Sequence, residues 1–107
     1  GVPVYPRGVL VRNRRLAREM VDALGDRPVE PMRGHGLTSA AGGVEQAVLQ
    51  AISVDRLAGL ALRITASGGR LVDLPDADLT ELPDLGSGFT VATAWRHELA
   101  RADVGAD

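Results

Sequence analysis

The chain has 107 residues, of which 45% are hydrophobic and 24% are charged, with a formal net charge of -2 at pH 7. This length suits one domain with a modest core, and the balanced charge lacks the positive cluster typical of nucleic-acid binding. The absence of cysteine excludes disulfides and thiolate sites and agrees with a cytoplasmic location. No apolar run reaches the roughly 18–20 residues of a membrane span, because Asp55 and Arg56 interrupt the longest one.

Lysine is absent, so all twelve basic residues are arginine. A Schiff-base aldolase or a pyridoxal enzyme needs a lysine amine as its nucleophile, and these residues cannot supply that chemistry. If a carbanion forms at this protein, another electron sink is required, and a metal ion is the obvious candidate.

The first 25 residues predict an extended segment followed by a helix. Residues 2–11 form one extended segment or two short strands, at 2–5 and 8–11, with prolines confining the first to a sheet edge. Asn13 is a suitable N-cap, and Gly25 is a suitable C-cap. Between these two caps, apolar residues recur at helical spacing and predict the buried face of the helix. They are Leu16, Met20, Val21 and Leu24.

The rest of the chain predicts two strands and three helices. Strands are expected at residues 29–33 and 37–40, and Glu30-Pro31 indicates an edge or a bulge in the first, since proline cannot donate to a ladder. An apolar helix at residues 44–67, ended by residues 68–69, is expected to be buried on more than one side, against the sheet, another helix or another subunit. A short acidic helix at 76–82 and a last helix from Gly86 or Ser87 to Ala100 complete the prediction.

A histidine between two glycines follows the first predicted strand, in the sequence Arg33-Gly34-His35-Gly36. Glycine permits positive φ and close approach of another group, so the imidazole can point into a cleft. Histidine is the commonest metal ligand among side chains. A lone Gly-His-Gly is a weak motif, and a tight turn with a satisfied histidine is the alternative.

The order of these elements resembles the C-terminal half of the class II aldolase/adducin family over residues 2–66. Four segments carry the resemblance: Val2-Pro3-Val4-Tyr5-Pro6, Ala23-Leu24-Gly25-Asp26-Arg27-Pro28, Arg33-Gly34-His35-Gly36 and Val44-Glu45-Gln46-Ala47. Residues 82–87 (Leu-Pro-Asp-Leu-Gly-Ser) and Trp95-Arg96 are similar to the decarboxylase branch of that family, which acts on hydroxylated aromatic acids.

The resemblance implies an α/β fold, a three-layer α/β/α domain with a mainly antiparallel central sheet. Residues 1–107 then form the C-terminal part of a single such domain, with 76–107 as C-terminal helices. Family members assemble as homotetramers with sites between subunits and bind a divalent metal, most often zinc, through three histidines. His35 matches the third ligand.

The other two histidines and the catalytic glutamate lie earlier in the family pattern and have no counterpart here. Because a catalytic zinc normally takes three protein ligands, we expect the 107 residues alone to be inactive. They are then a piece of a longer protein or a degenerate, non-catalytic member, and the first alternative is preferred.

Four other polar residues have a functional or a structural interpretation. Tyr5, the only tyrosine, is either a proton donor or a packed strand residue. Arg33 either pairs with a substrate carboxylate, which suits the guanidinium fork, or bonds a loop carbonyl. Glu45 is read as structural, since a negative charge favours the start of a helix. His97 lies on a polar predicted helix and is not expected to bind metal or substrate.

Two functions from different classes follow. The first is a metal-dependent carbon–carbon lyase acting on a small molecule, with decarboxylation of a hydroxylated aromatic acid ahead of aldol cleavage of a sugar phosphate. In either reaction a metal stabilises the negative charge left on carbon. The second is a non-catalytic, adducin-like assembly domain in which the helix from Val44 mediates association. Neither hypothesis involves nucleic acid or a membrane.

Overall fold

A computed structural model describes residues 2–83 and 87–105. Its elements are α1 (Arg14–Leu24), β1 (Val29–Met32), β2 (Gly36–Ser39), α2 (Val44–Ala66), α3 (Asp76–Thr80) and α4 (Gly88–Gly105). The chain divides into two units, residues 1–52 and residues 53–107. Among the helices so described, none has the length and apolarity needed to cross a membrane.

Helix α1 is set by its end residues, as the sequence predicts. The side-chain oxygen of Asn13 accepts a hydrogen bond from the backbone N–H of Leu16 at 3.0 Å, which satisfies one of the unpaired donors of the first turn. At the other end Gly25 takes a φ of 56° and its N–H donates to the carbonyl of Val21 at 3.0 Å. The buried face is narrower than predicted, because Leu16 alone is buried and Val21 is exposed.

Strands β1 and β2 form an antiparallel hairpin whose register runs from Val29 opposite Ser39 to Met32 opposite Gly36. On the other side of β1, Tyr5 makes a single parallel bridge to Met32. Its N–H donates to the carbonyl of Pro31 at 2.9 Å, and its carbonyl accepts from the N–H of Arg33 at 3.3 Å. The strand therefore has neighbours on both sides near its C-terminal end.

Of the alternatives predicted for residues 2–11, the two short strands are not observed. Residues 2–5 contribute only the bridge at Tyr5, and residues 8–11 form no strand in the described part of the chain. Strand β1 is an edge strand of this two-stranded sheet, as Glu30-Pro31 predicts, and its pairing with β2 has no bulge. The carbonyl of Pro31 points toward Tyr5, and N and O of one strand residue face the same neighbour. The backbone N–H that proline lacks would therefore have faced Tyr5 and not β2. Its absence limits the pairing of β1 with the Tyr5 segment and leaves the β1–β2 hydrogen bonds intact.

Side chains of the hairpin contact a helix on each face within residues 1–52. The hydroxyl of Thr38 donates to the sulfur of Met32 at 3.2 Å and lies 3.7 Å from the sulfur of Met20 on α1. The next residue, Ser39, donates its hydroxyl to the carbonyl of Ala47 on α2 at 2.8 Å. Since successive strand residues face opposite sides, α1 lies on one face and the start of α2 on the other. The full three-layer domain stays a prediction.

Helix α2 lies close to its predicted position and is not buried within this chain. It ends one residue early, at Ala66, and residues 68–69 stop it as predicted, with Gly68 at a φ of 83°. None of its residues is buried within this chain, and its burial against further chain segments or another subunit stays a prediction. Its exposed large apolar side chains are Val44, Val48, Leu57, Leu60 and Leu62.

The last two helices occur close to their predicted positions. Helix α3 stops at Thr80 rather than at residue 82, and α4 continues beyond Ala100 to Gly105. The predicted start of α4 at Gly86 lies outside the described residues, as do residues 84–86 of the 82–87 segment. Within residues 53–107, the guanidinium of Arg56 on α2 donates to the carboxylate of Glu98 on α4 at 2.8 Å.

Candidate functional site

The loop between β1 and β2 presents the glycine-flanked histidine. The N–H of His35 donates to the carbonyl of Met32 at 3.0 Å, which closes a four-residue turn. Gly34, at the third position, has a φ of 75°, where type II turns favour glycine, and Gly36 follows at 131°. A Cβ at either glycine would meet nothing within 4 Å, so backbone conformation rather than lack of space calls for glycine here.

Arg33 and His35 are brought together on this loop, and both side chains are exposed. Among the described residues, neither side chain makes a hydrogen bond or an ion pair. The two side chains offer different chemistry on this turn. The guanidinium donates in a fixed fork that suits an anionic group, whereas an imidazole nitrogen without a proton can offer its lone pair to a metal ion or to a hydrogen-bond donor.

Tyr5 lies beside this loop through its backbone but not through its hydroxyl. Its backbone carbonyl accepts a hydrogen bond from the N–H of Arg33. The residue is only 1% exposed, so its hydroxyl is buried away from the loop. The hydroxyl makes a long contact of 3.5 Å to the carbonyl of Leu16 on α1. Proton donation by Tyr5 stays a prediction, and it requires a substrate to reach a side chain that α1 encloses in this chain.

The described residues do not make a complete metal centre. No group of three histidine, aspartate or glutamate side chains comes close enough to hold an ion in the parts of the chain that the structure covers. His97 is exposed on α4, and Glu45 is exposed in the first turn of α2. His35 is therefore a single candidate ligand where a catalytic zinc normally takes three.

The sequence interpretation missed Glu30 as a candidate functional residue. Its side chain is fully buried, and neither carboxyl oxygen has a hydrogen-bond partner in the described structure. Burial raises the pKa of Glu30 above its ordinary value, because desolvation disfavours the charged form. The available signal was an acidic residue inside a predicted strand, directly between Val29 and Pro31.

Glu98 is the second glutamate whose pKa is displaced. A hydrogen bond from Arg56 lowers the pKa of Glu98, and the positive charges of Arg56 and Arg101 act in the same direction. The guanidinium of Arg101 lies 3.5 Å from the Glu98 carboxylate. This ion-pair cluster joins α2 to α4 within residues 53–107.

Comparison with known proteins gives a consistent set of relatives. No protein-family model matches the chain, and no solved structure matches it. Curated proteins do match, and three are named 3,4-dihydroxyphthalate decarboxylase. The one from Arthrobacter keyseri is 75% identical over 101 residues, the one from Terrabacter sp. (strain DBF63) 67% over 101, and the one from Rhodococcus jostii (strain RHA1) 55% over 102.

These alignments include nearly all of the chain but less than half of each relative. They cover 94–95% of the 107 residues and 41–42% of the relatives' own length. The chain is thus similar, over almost all its residues, to a part of proteins named for the decarboxylation of 3,4-dihydroxyphthalate.

Proposed function

We propose that this chain is part of a longer decarboxylase that acts on a dihydroxylated aromatic acid of the 3,4-dihydroxyphthalate type. The observation that carries this proposal is the 55–75% identity to three relatives of that name across 94–95% of the chain. The same names favour decarboxylation over aldol cleavage of a sugar phosphate.

The reaction sets clear chemical requirements. The bond between a ring carbon and its carboxylate breaks, carbon dioxide leaves, and the electron pair stays on the ring until that carbon takes up a proton. An active site must therefore hold an anionic substrate, stabilise the developing negative charge and supply a proton. A phthalate-type substrate carries two adjacent carboxylates, so at least one cationic group is needed to bind it.

Arg33 meets the binding requirement in this proposal. Its guanidinium is exposed on the hairpin loop, where it can bind a substrate carboxylate through two parallel hydrogen bonds. The backbone contact to Tyr5 and the turn closed by His35 fix the loop from which it extends. Its role is to bind and orient the substrate.

His35 is proposed as one ligand of a divalent metal, zinc by preference, completed by residues outside these 107. A metal bound to substrate oxygens is a Lewis acid that stabilises negative charge. Because the described residues offer one ligand only, the chemistry assigned to this chain is the binding by Arg33 and the donation of one imidazole nitrogen by His35.

Assembly through α2 is part of the same proposal. The helix leaves large apolar side chains exposed along its length, among them Leu57, Leu60 and Leu62. Exposed apolar surface of this kind marks protein interfaces. We place α2 in the contacts of a homotetramer, and an adducin-like module without catalysis would use the same surface.

The test uses the full-length product of the gene, its His35→Ala variant and, as a matched control, His97→Ala. Metal content is measured by elemental analysis, and carbon dioxide release is measured with 3,4-dihydroxyphthalate. We expect about one divalent metal per subunit in the wild type and in the control, and a loss of metal affinity of at least about 100-fold in His35→Ala. Activity is expected to fall with it.

Two results would count against parts of this proposal separately. A His35→Ala protein that keeps its metal and its activity removes His35 from the site. A wild-type protein that binds metal but releases no carbon dioxide from any dihydroxylated aromatic acid leaves the ligand role standing and removes the decarboxylase assignment.

A further inference from the structure

Glu30 occupies an unusual place for a carboxyl group. It is fully buried inside residues 1–52, and both of its oxygens lack a partner among the described residues. It stands opposite Thr38 in the hairpin register and two residues before Met32, which bridges to Tyr5. Alternate strand residues share a face, so these four side chains lie on the face that α1 covers.

The hydroxyl groups on this face are directed elsewhere. Thr38 donates to the sulfur of Met32 at 3.2 Å, although sulfur is a weak acceptor. Tyr5 donates to the carbonyl of Leu16. An ionised carboxylate forms hydrogen bonds about twice as strong as neutral ones, and it would compete for both donors. The arrangement fits a neutral carboxylic acid.

Among the described residues, no arginine or histidine forms an ion pair with Glu30. On α1, Glu19 pairs with Arg15 and with Arg7 of the N-terminal segment, while β2 carries no titratable side chain. Tyr5 is the titratable group on the same face. The remaining charged groups of α1 and of the hairpin loop are exposed, namely Arg14, Arg18, Asp22, Arg33 and His35.

The sign of the resulting pH dependence follows from burial. Desolvation raises the pKa of Glu30 in the folded state, so the folded protein holds this proton at pH values where the unfolded chain has released it. Stability is then complete below the ordinary glutamate pKa and falls as the pH rises through the folded value. Above that pH the folded state contains a buried, unpaired charge, which is costly.

We propose that Glu30 is a proton-sensitive latch of the β1–β2 hairpin: it is neutral when the hairpin is closed on α1, and release of its proton to solvent opens the hairpin. The strands have four residues each, and an isolated hairpin is marginally stable. Local opening is therefore a low-energy way for the carboxylate to reach water. Because the hairpin loop carries Arg33 and His35, the protonation of Glu30 then determines how often the backbone at these two residues leaves its folded conformation.

The test is hydrogen exchange followed by mass spectrometry on peptides covering residues 29–39, in the full-length gene product, from about pH 5 to about pH 8. Rates are corrected for the intrinsic pH dependence of exchange. We expect the opening constant of the wild-type hairpin to rise with pH by up to about tenfold per unit, the limit for one linked proton. Glu30→Gln should remove this slope, and the matched exposed variant Glu81→Gln should keep it.

The proposal fails if the wild-type hairpin opens equally at every pH, or if Glu30→Gln retains the wild-type slope. Should Glu30→Gln not fold, Glu30→Met supplies an apolar side chain of similar size and carries the same expectation. Infrared spectroscopy adds a second readout: at about pH 5, above the ordinary glutamate pKa, the wild type should show a carboxylic-acid band that Glu30→Met lacks. A wild type without that band also refutes the latch. These readouts need neither substrate nor metal, so they are independent of the decarboxylase proposal.

Discussion

Residues 1–52 and residues 53–107 each contain one glutamate with a displaced pKa, and the two displacements have opposite signs. Glu30 is enclosed without a partner, and burial raises its pKa. Glu98, whose side chain is 16% exposed, receives a hydrogen bond from Arg56, and its pKa is lowered. A carboxyl group thus favours its neutral form where the chain excludes both water and cations, and its charged form where arginine is close.

The same contrast holds for packing. Every buried side chain in the described structure lies in the first unit, and they are Tyr5, Leu16, Val29 and Glu30. In the described part of the second unit, apolar side chains remain exposed on α2 and in the segments after it. The first unit therefore has a small core of its own, whereas burial of the second unit's apolar side chains requires other chain segments or other subunits.

The largest effect that tests this contrast is expected for Leu16→Ala. Leu16 is the buried residue of α1, and its carbonyl accepts from the Tyr5 hydroxyl. Truncation of a buried leucine costs about 2–5 kcal/mol. Asp73→Ala is the control, because Asp73 is an exposed polar residue of the second unit and such changes usually stay within about 0.5 kcal/mol. Urea unfolding of the full-length gene product measures both. Equal losses would show that burial in this chain does not separate the two units.

An intermediate effect is expected on assembly. Leu62 on α2 is 70% exposed, and burying a leucine contributes about 1.5–3 kcal/mol. If the full-length protein forms the proposed tetramer, we expect Leu62→Glu to shift it to smaller species in light scattering, with dissociation constants raised at least about tenfold. Ser53→Glu introduces the same charge at an exposed polar position of α2 and should leave the mass unchanged. A tetrameric Leu62→Glu protein would exclude this part of α2 from the interface.

Features set by local sequence were predicted well. Asn13 and Gly25 bound α1 because a cap and a positive-φ glycine act within one turn, and residues 68–69 stop α2 in the same way. The hairpin strands were placed within about one residue of their observed ends. The glycine-flanked loop also follows from local rules, since Gly34 has the positive φ that the turn needs.

Features set by distant contacts were not predictable in this way. One alternative predicted a strand at residues 8–11. A strand needs a hydrogen-bonded neighbour, and the described part of the chain contains none for these residues. The buried state of Glu30 depends on Tyr5, on α1 and on β2 together. Sequence reasoning noted only that Glu30-Pro31 is awkward in a strand, because enclosure is a tertiary property that periodicity does not contain. The predicted roles of Tyr5, Arg33 and His35 stay predictions.

The smallest expected effect concerns Glu98 at acid pH. Since pairing with Arg56 lowers its folded pKa, its contribution to stability is present above the ordinary glutamate pKa and is lost as the pH falls through the folded value. Glu98→Gln should therefore reduce the free energy of unfolding at neutral pH and flatten its decline in acid, with Glu81→Gln as the exposed control. Urea unfolding across this range measures the slope. Parallel wild-type and Glu98→Gln curves would mean that the ion pair does not form in solution. A flattened acid slope in Glu98→Gln, beside a flattened slope at higher pH in Glu30→Gln, would show that the two units respond to protons in opposite directions.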